Sequence, residues 1–100
     1  MNPVIRTNSR VIEASLSSDS AAQLLATGGQ LVDVRSPADF VRNALPGALN
    51  VPVAALSWKY RYLNRQRPVI LYSDNGYHCQ HAARLLASEG FSKIYHLTVN

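Results

Sequence analysis

The segment from Tyr72 to Cys79, YSDNGYHC, is rich in polar side chains that could take part in chemistry and ends in a thiol. It follows an apolar run and precedes apolar residues at helical spacing, which predicts a strand, a loop and a helix start in that order. Backbone N–H groups at a helix N-terminus lack intrahelical partners and stabilise anions. We therefore predict an anion-binding, substrate-binding loop made of Ser73, Asp74, Asn75, Gly76, Tyr77, His78 and Cys79.

Cys79 is the only cysteine in the chain and the candidate nucleophile. A helix N-terminus can lower the pKa of a thiol, and His78 and His81 stand close in sequence as local bases. Nucleophilic catalysis also requires an exposed sulfur. The alternative is that Cys79 packs against the sheet as a small apolar residue, at the head of a helical stripe with Ala82, Ala83 and Leu86.

Metal binding is the other chemistry that this segment suggests, because His78, Cys79 and His81 cluster and His96 could approach them. A single cysteine excludes an internal disulfide and a thiolate-rich zinc site. No fixed spacing supplies a fourth ligand. We predict no metal site and no cofactor.

Composition indicates one compact globular domain. The chain has 100 residues, 47% of them hydrophobic, and ten Lys and Arg against six Asp and Glu give a net charge of +4. No block of five like charges occurs, so we predict no nucleic-acid binding. No apolar segment approaches the roughly 20 residues that span a bilayer. We predict a cytoplasmic, soluble monomer or weak dimer without membrane contact, with an N-terminal extension at residues 1–9 and a single domain at residues 10–100.

Short strand-like runs alternate with helical ones along the chain, which predicts an α/β fold with a mostly parallel sheet. The predicted strands are residues 11–13, 31–35, 48–51, 68–72 and 94–97. Ser17 or Ser18 should cap a helix that ends at Gly28, and Ser36 should cap a second helix. A third helix is predicted over residues 54–62, and a last one ends at Gly90.

Two segments carry a resemblance to a known family. The sequence LVDVRS at residues 31–36 resembles the aspartate-x-arginine strand end of the rhodanese-like family, and LPGALNVP at residues 45–52 resembles its I-P-G-A-x-N-x-P segment. The resemblance covers roughly residues 10–97. It implies a small α/β domain with about five mostly parallel strands and helices on both faces, related to the cell-cycle dual-specificity phosphatases.

The resemblance also implies where the active site lies. In that family a cysteine directly after the fourth strand accepts a sulfane sulfur as a persulfide and passes it on; here that position is Ser73. A serine hydroxyl supplies no thiolate for sulfur transfer. Asp74 places a negative charge beside the anion pocket, which opposes anion binding. The related phosphatases need a cysteine followed six residues later by an arginine, and Cys79 stands there instead.

Three functions remain open at this stage. The first is a rhodanese-like domain that lacks ordinary thiosulfate sulfurtransferase activity and acts as a binding or regulatory module, for a small sulfur-containing anion or a protein partner. The second is a sulfurtransferase or sulfur carrier that uses Cys79. The third is a structural partner that binds through residues 58–62. Asp33 and Arg35 should support the site, either as a structural ion pair or with Arg35 facing the loop mouth.

Overall fold

The computed structural model describes residues 12–98, which form a five-stranded parallel sheet. The strands stand in the order β1-β5-β4-β2-β3. Their bounds are Ile12–Leu16 (β1), Gln30–Asp33 (β2), Leu49–Asn50 (β3), Val69–Tyr72 (β4) and Lys93–Leu97 (β5). The predicted α/β class with a parallel sheet is confirmed. The predicted extension at residues 1–9 lies outside the described residues.

Two predicted helix starts are confirmed, because each depends on a local side-chain cap. Helix α1 spans Ser18–Ala26, and the Ser17 hydroxyl accepts a hydrogen bond from the Ser20 N–H at 3.2 Å. Helix α2 spans Pro37–Asn43, and the Ser36 hydroxyl accepts one from the Asp39 N–H at 3.2 Å. Such caps satisfy N–H groups that a helix start leaves without partners.

The predicted helix over residues 54–62 is wrong. The structure has a 3₁₀ turn at Val53–Ala55, a four-residue helix α3 at Leu56–Lys59 and a second 3₁₀ turn at Tyr60–Tyr62. In this part of the described chain no side chain caps the start of any of the three pieces. Because one continuous helix has neither a cap nor a long buried stripe here, the segment forms short, tight turns, and Leu56 packs in the core.

Helices cover both faces of the sheet, as predicted. Helix α4, Gly76–Ser88, packs its buried residues against the face that carries Val32, Leu71 and Ile94. On the opposite face Ala21 of α1 packs on Leu31 and Ile70. Within residues 12–98 no helix is both long and apolar enough to span a membrane. The carboxyl ends of β2 and β4 lie side by side, with Asp33 in register with Tyr72, and this edge positions the candidate site.

Candidate functional site

The loop between β4 and α4 is shorter than predicted and consists of residues 73–75. The predicted loop extended to Cys79, but residues 76–79 form the first turn of α4. Asn75 caps this helix, because its Oδ1 accepts a hydrogen bond from the Tyr77 N–H at 2.9 Å. Asparagine is a preferred N-cap residue, and this signal in the sequence marks the true start of the helix.

The loop satisfies much of its own backbone. The Asn75 N–H donates to the Ser73 Oγ at 3.1 Å, and the Tyr77 N–H donates to the Asn75 side chain. The His78 N–H donates to the Asn75 carbonyl at 3.1 Å. An anion at this helix start would therefore have to replace oxygen atoms that the loop itself supplies.

Cys79 lies on the buried side of α4, with 6% of its surface exposed. It packs in the same cluster as Ala82, Ala83 and Leu86. Burial, and to a smaller extent the negative charge of Asp33, raise the pKa of the Cys79 thiol to about 11. The helix N-terminus could have lowered this pKa, but loss of solvation disfavours the thiolate and raises the pKa instead. The structure matches the alternative in which Cys79 is a packed apolar residue.

Asp33 and Arg35 form a buried ion pair at the end of β2, with 0% and 4% of their side chains exposed. The Arg35 Nη2 lies 2.8 Å from Asp33 Oδ2, and its Nε lies 3.1 Å from both carboxylate oxygens. Hydrogen bonding to Asp33 raises the pKa of Arg35. The guanidinium carbon also lies 4.9 Å from the centre of the Tyr72 ring. This geometry supports the structural ion pair rather than an arginine that faces the loop mouth.

Two asparagines extend this ion pair, and the sequence analysis did not find either of them. Arg35 Nη1 donates to Asn43 Oδ1 at 2.9 Å, which joins the end of β2 to the end of α2. The Asn50 side chain donates to the carbonyl oxygens of Asp33 and Arg35, both at 3.0 Å, which holds β3 beside β2. We call Asp33, Arg35, Asn43 and Asn50 the strand-end cluster. Asn50 lies in the LPGALNVP segment, so the resemblance of that segment to the family could have indicated it.

The histidines do not gather around Cys79. His78 and His81 are exposed on α4, whereas His96 on β5 lies 2.8 Å from Glu13 Oε2 on β1. Among residues 12–98 no group of three or more His, Cys, Asp or Glu side chains could hold a metal ion.

Comparison with known proteins agrees with the fold. The family model for the rhodanese-like domain matches residues 17–98. The uncharacterized protein YqhL of Bacillus subtilis is 35% identical over 68 residues, 68% of this chain, and that match spans about half (54%) of YqhL. Thiosulfate sulfurtransferase GlpE of Pseudomonas syringae pv. syringae is 30% identical over 77 residues, 77% of this chain and 73% of GlpE.

A solved structure shows the same fold. The human single-domain sulfurtransferase TSTD1 superposes with a TM-score of 0.71 at 23% identity, over 83% of this chain and 87% of TSTD1. The match of the family model over most of the chain shows that this protein belongs to the rhodanese-like domain family.

Proposed function

We propose that this rhodanese-like domain lacks ordinary thiosulfate sulfurtransferase activity and acts as a binding or regulatory module. The observation that carries the proposal is the position of Ser73, which directly follows β4. By the resemblance to the family, this is the position of the sulfur-accepting cysteine. Sulfur transfer needs a thiolate that attacks the outer sulfur of thiosulfate, forms an S–S bond and releases sulfite with the electron pair.

The loop geometry supports this proposal. The Ser73 hydroxyl already accepts the Asn75 N–H, and the Asn75 side chain accepts the Tyr77 N–H. Asp74 is exposed beside them and repels an incoming anion. The loop therefore offers hydrogen bonds and one negative charge but no thiol. These properties fit recognition better than sulfur chemistry.

The alternative of a sulfur carrier that uses Cys79 requires a large change in structure. The sulfur lies under α4 among apolar side chains, and its raised pKa leaves little thiolate at neutral pH. Loading of this thiol would need the first turn of α4 to open. We retain cytoplasmic location, the single domain over residues 10–100 and a monomer or weak dimer as predictions that accompany the module.

Intact mass spectrometry tests the proposal. The protein is incubated with thiosulfate and then with cyanide, next to the variants Ser73→Cys, Cys79→Ser and Ser88→Cys. Ser88 is exposed at the far end of α4, so its replacement adds a thiol away from the loop. We expect no adduct on the unmodified protein. Ser73→Cys should gain one sulfur atom, about 32 Da, which cyanide removes as thiocyanate.

Two results would overturn the proposal. An adduct on the unmodified protein that Cys79→Ser abolishes would make Cys79 a sulfur carrier. Equal loading of Ser73→Cys and Ser88→Cys would show that the loop gives a thiol no special reactivity, and Ser73 would then not mark a former sulfur site.

A further inference from the structure

A groove with a volume of about 410 Å³ runs beside the loop, between α4 and the 3₁₀ turn Val53–Ala55. Exposed side chains of α4 form one wall: Tyr77, His78, His81 and Arg84. Val53 and Ala54 form the apolar wall opposite. Residues 77, 81 and 84 share one side of a helix because they are three and four positions apart. We call this feature the α4 groove.

The α4 groove favours negative charge. Arg84 carries a permanent positive charge, and the two histidines can donate hydrogen bonds to a carboxylate. No carboxylate of residues 12–98 lines the groove. Nor does the described chain place an Asp or Glu within 4.0 Å of the Arg84 guanidinium, whereas Arg35 and Arg42 each have such a partner.

The charge of the exposed side chains changes sign from the loop before α4 to the far end of the α4 groove. Tyr77 lines both the α4 groove and a neighbouring hollow that contains Asp74 and Asn75. A ligand that follows the helix therefore meets Asp74 at the loop end and Arg84 about 10 Å beyond Tyr77, given a rise of 1.5 Å per residue. An extended peptide covers that distance with about three or four residues.

The apolar wall indicates a peptide rather than a nucleic acid. Nucleic-acid binding depends on several phosphate contacts with cations, and Arg84 is the one permanent cation among the side chains that line the groove. Tyr77 is 81% exposed beside Val53 and Ala54, which suits an apolar side chain of a partner. Exposed aromatic residues next to apolar surface are common anchors in protein interfaces.

We propose that the α4 groove binds an extended acidic segment of a protein partner, with apolar residues against Val53 and Ala54 and carboxylates toward Arg84. This inference rests on the proposed function, because it names the kind of partner that the module binds. The inference also orients the charges of the bound segment: its carboxylates lie toward Arg84, because Asp74 repels them from the loop end of α4.

Fluorescence anisotropy with a labelled hexapeptide of leucine and glutamate, LEELEE, tests this inference. The wild-type protein should bind this probe, and Arg84→Glu should weaken binding about tenfold or more, as loss of a close charge pair does. His81→Glu is a second variant on the same wall. The matched control is Arg42→Glu, which makes the same charge change at an exposed arginine on α2 and should alter affinity less than about twofold. Circular dichroism confirms that each variant is folded.

Three outcomes would overturn the inference. The first is no saturable binding of LEELEE by the wild-type protein at millimolar concentration. The second is equal loss in Arg84→Glu and Arg42→Glu, which would mean attraction by net charge alone. The third is tighter binding of hexathymidylate than of LEELEE, which would assign the groove to nucleic acid. Because the mass experiment with thiosulfate does not involve the groove, the module proposal can hold when this inference fails.

Discussion

Asp33 and Ser73 both lie at the carboxyl edge of the sheet, at the ends of the paired strands β2 and β4, yet their surroundings differ. Asp33 belongs to the strand-end cluster, where its buried carboxylate binds the buried Arg35 through both oxygens. Ser73 opens an exposed loop whose hydrogen bonds are local, to residues two positions away or within the first turn of α4. We therefore expect the strand-end cluster to fix the architecture of this edge, and substitutions in the exposed loop to have little effect on it.

The largest expected effect is at the buried Asp33–Arg35 ion pair of the strand-end cluster. Asp33→Asn leaves the Arg35 charge buried without its counter-charge, which should lower the free energy of unfolding by about 3–5 kcal/mol. Urea denaturation measures this loss. Asp39→Asn is the matched control, since it removes the exposed partner of Arg42 and should cost less than about 1 kcal/mol. Equal losses in the two variants would show that the Asp33–Arg35 pair adds no more than a surface ion pair.

Cys79 gives the next largest effect. Because burial raises its pKa from about 9 to about 11, its thiolate fraction at pH 8 should be about a hundredfold below that of an unperturbed thiol. Alkylation by iodoacetamide, followed by mass spectrometry, should be slower by at least that factor than alkylation of the added thiol in Ser88→Cys. Rapid alkylation of Cys79 at pH 8 would contradict its buried position.

The same thiol should make stability depend on pH, because the folded state holds the thiol proton more tightly than the unfolded chain does. The free energy of unfolding should therefore fall as pH rises from about 9 to about 11 in the wild-type protein, and fall less in Cys79→Ala.

The smallest expected effect is at the loop. Asn75→Ala removes the cap of α4 and should lower the free energy of unfolding by about 1 kcal/mol. Thermal unfolding measures the change, and Ser36→Ala, which removes the cap of α2, is the control of equal chemistry. A loss as large as that of Asp33→Asn would mean that the loop is part of the rigid edge and would remove the contrast with the strand-end cluster.

The sequence predicted those features whose causes are local. The caps Ser17 and Ser36 act within four residues of themselves, so the sequence alone narrowed the first cap to Ser17 or Ser18 and identified the second as Ser36. The burial of Cys79 depends on how α4 packs on the sheet. The periodicity of the sequence left two alternatives for this residue, an exposed nucleophile and a packed apolar side chain. The contacts of Asn50 join residues 15 and 17 positions apart, and they form only when β3 pairs with β2. The fold class was therefore within reach of the sequence. The ion pair of Asp33 and Arg35 and the burial of Cys79 were each one of two alternatives, and the contacts of Asn43 and Asn50 were not predicted.

The order of the strands has a consequence for how the chain folds. β5, near the end of the sequence, lies between β1 and β4, and within residues 12–98 β1 pairs with β5 alone. Ile12 and Lys93 are partners although about 80 residues separate them. During synthesis β1 has no strand to pair with until β5 has left the ribosome. Contacts between such distant residues slow folding, because a long loop must close before they form. We expect β5 to complete the sheet in one late step that orders β1 and β5 together.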